Sequence, residues 1–256
     1  MWCARRQWRP VPHNYFDEPV AADYDDDTDV RFSAEHLALE SGFLAELASP
    51  GGRALELAIG TGRVALPLAA RGVEVHGIEL SQAMVDRLRE KPGGREIPVT
   101  LGDYTSADAD GTFDVAYLVF NTIGNVTTQD AQVATFANAA RHLRPGGCFV
   151  VETSVPGVSR IAPQERFRVF DHSSEHVGYD EYDRVTQAMW SHHLTFGPEG
   201  TVRRNSVPFR YAWPAELDLM ARLAGMRLRE RWAWWDRTPF TDTSTSHVSV
   251  WEKSRD

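Results

Sequence analysis

The sequence has little cysteine, a shortage of basic charge and no long apolar run, and each shortage closes off a class of protein. Its two cysteines, Cys3 and Cys148, stand far apart and outside any Cys-x-x-Cys or Cys/His spacing. That argues against a disulfide framework and a structural metal, and it points to a reducing compartment. Only 27 Lys and Arg stand against 36 Asp and Glu, a formal charge of -9. Such a surface is ill suited to tracking phosphates, so no nucleic-acid partner is expected. No stretch reaches membrane-spanning length, and no apolar signal core follows the early arginines. The expectation is a soluble, cytoplasmic protein with no membrane partner and an oligomeric state that the sequence leaves open.

What is present is alternation. A chain of 256 residues suits one core with an inserted lobe. After an acidic lead, Ser33 is placed to cap a helix whose apolar positions include Leu37, Phe43, Leu44 and Leu47, and Pro50-Gly51-Gly52 stop it. Short apolar runs then alternate with helical patterns. Strands are expected over 53–59, 73–80, 99–101, 113–120 and 148–151; helices over 62–70, after Ser81 and over 129–143; and a turn over 144–147. Five strands separated by helices imply an α/β, parallel, doubly wound sheet. Between 154 and 213 longer alternating segments, 185–196 and 201–211, suit antiparallel strands and read as an inserted cap. A helix over 214–224 and strands over 226–235 and 246–253 finish the chain. The expected organisation is a lead and cover helix (1–52), a core (53–153), a cap (154–213) and a closing helix and hairpin (214–256).

The informative turn is Glu56-Leu57-Ala58-Ile59-Gly60-Thr61-Gly62. Glycines at 60 and 62 allow a tight turn and close approach to a ligand at a helix N-terminus. The dinucleotide fingerprint needs three glycines, and Ala58 and Arg63 occupy the outer positions here. A carboxylate at Glu56 would also repel a pyrophosphate, whereas it would neutralise a cationic ammonium.

This stretch resembles motif I of the class I S-adenosylmethionine-dependent methyltransferases, with Ala58 where many members carry glycine. Three further matches follow in the family's order: the strand end VHGIELS, the LGDYT segment, and FDVAYLVFNTIGN followed by HLRPGGCFVVE. Together they cover about residues 53–153. The resemblance implies a Rossmann-like, mostly parallel seven-stranded sheet and S-adenosylmethionine as cofactor. It places Glu56, Ala58, Gly60 and Gly62 against the cofactor, Glu79 on both ribose hydroxyls, and Leu80 and Met84 on adenine. It further places Asp103 near the adenine amino group, the Tyr104 N–H near a ring nitrogen, and Phe120 at the end of the fourth strand. The acidic lead is also similar to the family's, in which a tyrosine reaches the cofactor; Tyr24 is the first choice and Tyr15 the reserve.

For the acceptor the sequence speaks mostly by omission. The Asn121-Thr122-Ile123-Gly124 loop lacks the Asn/Asp-Pro-Pro-Tyr pattern of enzymes acting on adenine or glutamine, and no Pro-Cys pair occurs. Cys148 opens an apolar strand and reads as structural. No metal is expected. A small-molecule acceptor attacked through N, O or C remains, with positioning as the main source of catalysis. His192, His193 and His247 are the weak candidates for a base, with His172 and His176 also in view; on a strand His192 and His193 point to opposite faces. Six of the eight tryptophans fall between Trp190 and Trp251, where half-buried strands already call for aromatics. The loop over 236–245, with Phe240, is expected to act as a lid. Binding of S-adenosylmethionine without transfer and a nucleotide-dependent oxidoreductase are the alternatives.

Overall fold

The computed structural model describes residues 24–26 and 30–255. Ser33 caps helix α1 (Ala34–Ala48) by accepting the His36 N–H at 3.2 Å. The alternation then runs β1 (Arg53–Leu57), α2 (Ala65–Ala69), β2 (Glu74–Glu79), α3 (Gln82–Glu90), β3 (Val99–Leu101), β4 (Phe113–Leu118), α4 (Gln129–His142) and β5 (Leu143–Ser154). Four antiparallel strands follow: β6 (Phe167–His172), β7 (His176–Tyr182), β8 (Ala188–Phe196) and β9 (Val202–Arg210). Helix α5 (Pro214–Leu223), β10 (Met226–Trp232) and β11 (Ser246–Lys253) complete the described chain.

The main sheet has the order β10-β11-β5-β4-β1-β2-β3, in which β1 to β5 pair in parallel and β11 runs antiparallel to both neighbours. Successive residues of its central strands serve opposite cores. Val115 and Tyr117 pack on one side, Ala116 and Leu118 on the other; Cys148 and Val150 oppose Phe149 and Val151. Burial of both faces is why these strands read as unbroken apolar runs. The cap is a separate four-stranded sheet of order β6-β7-β8-β9. Arg210 ties it to the core through Gln132 on α4 and Glu216 on α5.

Several boundaries differ from the expectation for local reasons. The helix expected from residue 62 begins at Ala65, because Gly60 and Gly62 take left-handed φ values of 55° and 79°. Pro67 is then the third helical residue, where its missing donor costs nothing. The turn over 144–147 is absorbed into β5: Leu143 already pairs with Phe113, and the bend survives as a register shift. Val185, expected in a strand, is 93% exposed at a hairpin tip, and β8 begins only after Gln187 turns left-handed at φ 61°.

Strand β11 buries His247 completely, with Nδ1 on the Ser249 hydroxyl at 2.8 Å. Burial, helped by Arg231, pushes its pKa down to about 3. The folded protein therefore holds it neutral, while the unfolded chain takes up a proton below about pH 6.5. Stability is fully present above that value and falls as pH drops toward 3, by up to about 1.4 kcal/mol per unit. Urea unfolding at about pH 7 and pH 5 should show a loss of about 2 kcal/mol that His247→Asn abolishes; an unchanged slope in the variant would assign the loss to other groups.

Candidate active site

The carboxyl ends of β1, β2 and β4 meet where the strand order reverses, between β1 and β4, which is where ligands of open α/β sheets bind. Glu56 and Glu79 are brought there 3% and 6% exposed. Burial pushes the Glu56 carboxyl well up, against a 3.0 Å hydrogen bond donated by the Tyr117 hydroxyl. Burial also raises Glu79, although its Oε2 accepts the Gly60 N–H at 2.9 Å and its Oε1 the Ser81 N–H at 2.8 Å. An acid that spans the glycine turn and the cap of α3 fixes both, and its remaining lone pairs stay able to accept.

The turn between these acids suits a ligand. A Cβ on Gly60 would meet nothing within 4 Å, so the backbone borders open space. One on Gly62 would lie 2.4 Å from the Leu88 side chain, so the left-handed backbone is closed in from behind. Ala58 is left-handed as well, at φ 58°, a conformation that costs a non-glycine residue about 1 kcal/mol or more. Leu80 is 47% exposed at the edge of this space. Met84, also expected on adenine, is 2% exposed near the start of α3. Asp103 Oδ1 accepts the Thr105 N–H at 2.8 Å, the short-range turn that aspartate commonly makes. Tyr104 donates its hydroxyl to the Thr122 carbonyl at 3.2 Å.

A second set of residues closes this end, and sequence reasoning missed most of it. Phe120 and Asn121 are both left-handed, with φ 61° and 57°. They are clamped by β5: Phe120 N–H donates to Glu152 Oε2 at 2.5 Å, and the Asn121 side chain accepts from the Thr153 hydroxyl and the Ser154 N–H. Tyr24, Phe32 and Phe120 stand edge-on to one another with ring centroids 5.7–6.4 Å apart, and the Arg31 guanidinium lies 3.9 Å above Phe120. Burial pushes Tyr24 up to about 12. Arg63 does not face solvent; it is paired with the buried Glu40 at 2.9 Å and also donates to the Arg31 carbonyl. Asp25 straps the lead down by binding Thr61 and Lys91, each at 2.7 Å. The visible signal was an acid-rich segment followed by Val30-Arg31-Phe32 just ahead of a helix cap. Tyr15 lies outside the described residues.

Beyond Phe120 a cavity of about 870 Å³ opens between the sheet and the cap. Tyr24, Phe120 and Glu152 form its core wall, and Asp180, Ser191 and His193 belong to its cap wall. Among the described tryptophans only Trp234 lines it; Trp235 and Trp251 are sealed in the core. His193 is the histidine of the three weak candidates that reaches the cavity. Its Nδ1 sits 3.1 Å from His176 Nε2, and His176 in turn contacts Asp171 at 2.6 Å. Burial and then His176 push the His193 pKa down. His192 points to the opposite face toward Ser206, and His247 is locked in the main sheet, so neither forms part of this wall. In the loop expected as a lid, Arg237 pairs with Glu46 on α1, Thr245 accepts the Val155 N–H, and the Phe240 ring packs 5.7 Å from His247 and does not line the cavity. Cys148 is buried with its thiol pKa raised by burial, a structural residue. Among the described residues no group of three acids, cysteines or histidines is arranged for a metal, and no helix is long and apolar enough to cross a membrane.

Comparison with known proteins agrees with this geometry. Residues 54–147 match the family model described as "Methyltransferase domain". The solved structure of the CcbJ methyltransferase from Streptomyces caelestis superposes with a TM-score of 0.82 at 35% identity, covering 93% of this chain and 98% of that one. The cypemycin N-terminal methyltransferase of a Streptomyces species is 28% identical over 79% of this chain and 84% of its own length. The dTDP-4-amino-2,3,4,6-tetradeoxy-D-glucose N,N-dimethyltransferase of Saccharopolyspora spinosa is 36% identical over 38% of this chain and 39% of its own. A glycine turn between two buried strand-end acids, full-length likeness to a known methyltransferase and the absence of the dinucleotide fingerprint set the oxidoreductase alternative aside, and the chain belongs to the class I S-adenosylmethionine-dependent methyltransferases.

Proposed function

We propose that this methyltransferase acts on the nitrogen of a small-molecule amine held in the cavity between the sheet and the cap. The observation that carries the reading is the cavity itself. It begins at Tyr24 and Phe120, at the end of the cofactor turn, and carries the carboxylates of Glu152 and Asp180 on opposite walls. The same walls carry the guanidinium groups of Arg31, Arg160, Arg168 and Arg210, and within this mixed lining Glu152 and Asp180 are the acids able to pair with an ammonium. The names of two relatives, an N-terminal methyltransferase and an N,N-dimethyltransferase, support nitrogen as the acceptor. No nucleic-acid or membrane partner enters this reading, and a cytoplasmic location fits the composition.

In this reading residues 53–153 and 214–256 form the cofactor platform and 154–213 the acceptor cap. Glu56 holds the cofactor's ammonium, Glu79 its ribose hydroxyls, Leu80 and Asp103 flank the adenine, and Ala58, Gly60 and Gly62 let the backbone approach. Tyr104 contributes its N–H to the adenine edge, while Tyr24 and Phe120 face the reacting end. Bound S-adenosylmethionine supplies a methyl group already activated on a sulfonium, so the protein's task is alignment and exclusion of water. The test is a screen of primary and secondary amines, including aminosugars and dipeptides, against matched alcohols and carboxylic acids, with formation of S-adenosylhomocysteine read by mass spectrometry. Turnover confined to amines is expected; turnover confined to alcohols or acids would overturn the nitrogen assignment.

A further inference from the structure

We propose that Glu152 is the carboxylate that draws the acceptor's ammonium to the reacting methyl and takes its proton; the inference rests on the amine reading above. Glu152 ends the run Phe149-Val150-Val151, three residues that are fully buried, and is itself only 4% exposed. A carboxylate in that position is costly unless it is used. Part of its use is visible: Oε2 accepts the Phe120 N–H at 2.5 Å and the backbone carbonyl accepts the Asn121 N–H at 3.2 Å. The carboxylate thus braces the left-handed turn that carries the Phe120 ring, 6.4 Å from Tyr24. A brace needs only an acceptor oxygen, which a neutral amide supplies equally well. Arg31 and Arg63 offset part of the charge, and the carboxylate still stands on the wall of the acceptor cavity, at the seam with the cofactor turn.

The surroundings suit proton transfer. Arg31 from the lead and Arg63 from the glycine turn face Glu152 with positive charge, and Glu40 from α1 faces it with negative charge. Burial and then Glu40 outweigh the two arginines and the Phe120 N–H and push the carboxyl pKa up, the direction that makes a carboxylate a stronger base. Asp180, the other cavity acid, sits across the chamber on the cap and already accepts the Tyr182 hydroxyl at 3.0 Å.

The step balances without a further reagent. An acceptor R–NH3+ gives one N–H proton to the Glu152 carboxylate. The nitrogen lone pair so released forms the N–C bond as the C–S bond breaks, and that electron pair stays on sulfur. The product leaves as R–NH2+–CH3, and Glu152 returns its proton to water.

The decisive test needs no acceptor. Sinefungin carries a primary amine where S-adenosylmethionine carries its methyl-bearing sulfonium, and S-adenosylhomocysteine carries neither, so the affinity ratio of the two reports on the group that faces the methyl. Titration calorimetry near neutral pH should find sinefungin bound about tenfold or more tightly by the wild-type protein. Glu152→Gln, which keeps an oxygen for the Phe120 N–H, should hold S-adenosylhomocysteine within about threefold and lose that preference. Glu152→Asp serves if the glutamine variant does not fold, and should retain part of it. With whichever amine the screen identifies, kcat/KM of Glu152→Gln should fall about 10²-fold or more and its acidic limb should disappear. A preference undiminished in the variant, or equal loss of both analogues, would reduce Glu152 to a brace and overturn the proposal. A wild-type protein that methylates only alcohols would refute the amine reading on its own, and the analogue comparison would still decide whether Glu152 faces the methyl.

Discussion

Replacing Glu79 with alanine lowers the affinity for S-adenosylmethionine by about tenfold or more, the loss expected when a charge-assisted contact of roughly 1.5–3 kcal/mol is removed. The direction is set by the position of the side chain. Glu79 is 6% exposed, and its two oxygens hold the N–H groups of Gly60 and Ser81, the glycine turn on one side and the cap of α3 on the other. Alanine removes the carboxylate proposed to hold the ribose and also leaves both donors to find water. Glutamine keeps one oxygen, so its loss should be smaller than that of alanine. Titration calorimetry on protein of unchanged circular dichroism checks the order wild type, Gln, Ala. Equal affinity in all three would place the ribose away from β2.

Arg63→Ala destabilises the fold by about 3–5 kcal/mol, because it strands a carboxylate inside the protein. Glu40 is fully buried, its side chain 1% exposed, and Arg63 is its close cationic partner at 2.9 Å, with His36 at 3.4 Å. Arg63 also binds the Arg31 carbonyl and lies 4.9 Å from the Phe120 ring, so the loss spreads to the aromatic cluster at the cofactor turn. A fall in midpoint of about 10 °C is expected for a domain of this size. The double variant Arg63→Met with Glu40→Leu should recover most of it, since a buried pair replaced by apolar groups of similar volume is often neutral. Urea unfolding of the two single variants and the double variant decides: no recovery in the double variant would show that the pair is needed for more than mutual compensation.

The parts of the molecule legible in the sequence were those with short-range causes. Strands buried on both faces read as apolar runs, the Ser33 and Ser81 caps were marked by residue type, and the glycine turn stood out because Gly60 and Gly62 need left-handed backbone. Residues that depend on distant partners did not show. Glu152 appeared as the end of an apolar strand, and only the tertiary fold brings it to the Phe120 N–H, 32 positions earlier in the chain. Arg63 showed in the sequence only as a break in the glycine fingerprint, and α1 places Glu40 over it from 23 positions away. Phe120 and Asn121 gave no conformational warning, since neither is glycine and their φ values are imposed by hydrogen bonds from β5. The contacts of the 236–245 loop were hidden for the same reason, since the Arg237–Glu46 pair joins residues 191 apart.

Cofactor and acceptor are proposed to occupy adjoining but distinct spaces, the cofactor on the turn between β1 and β2 and the acceptor in the cavity under the cap. A crystal structure of the protein soaked with S-adenosylhomocysteine tests this most directly. The expected density has ribose hydroxyls on Glu79, the amino group toward Glu56, and the sulfur at the end of the cavity bounded by Tyr24, Phe120 and Glu152. Density for the nucleoside under the cap between Asp180 and His193, with the Gly60 turn bare, would contradict it.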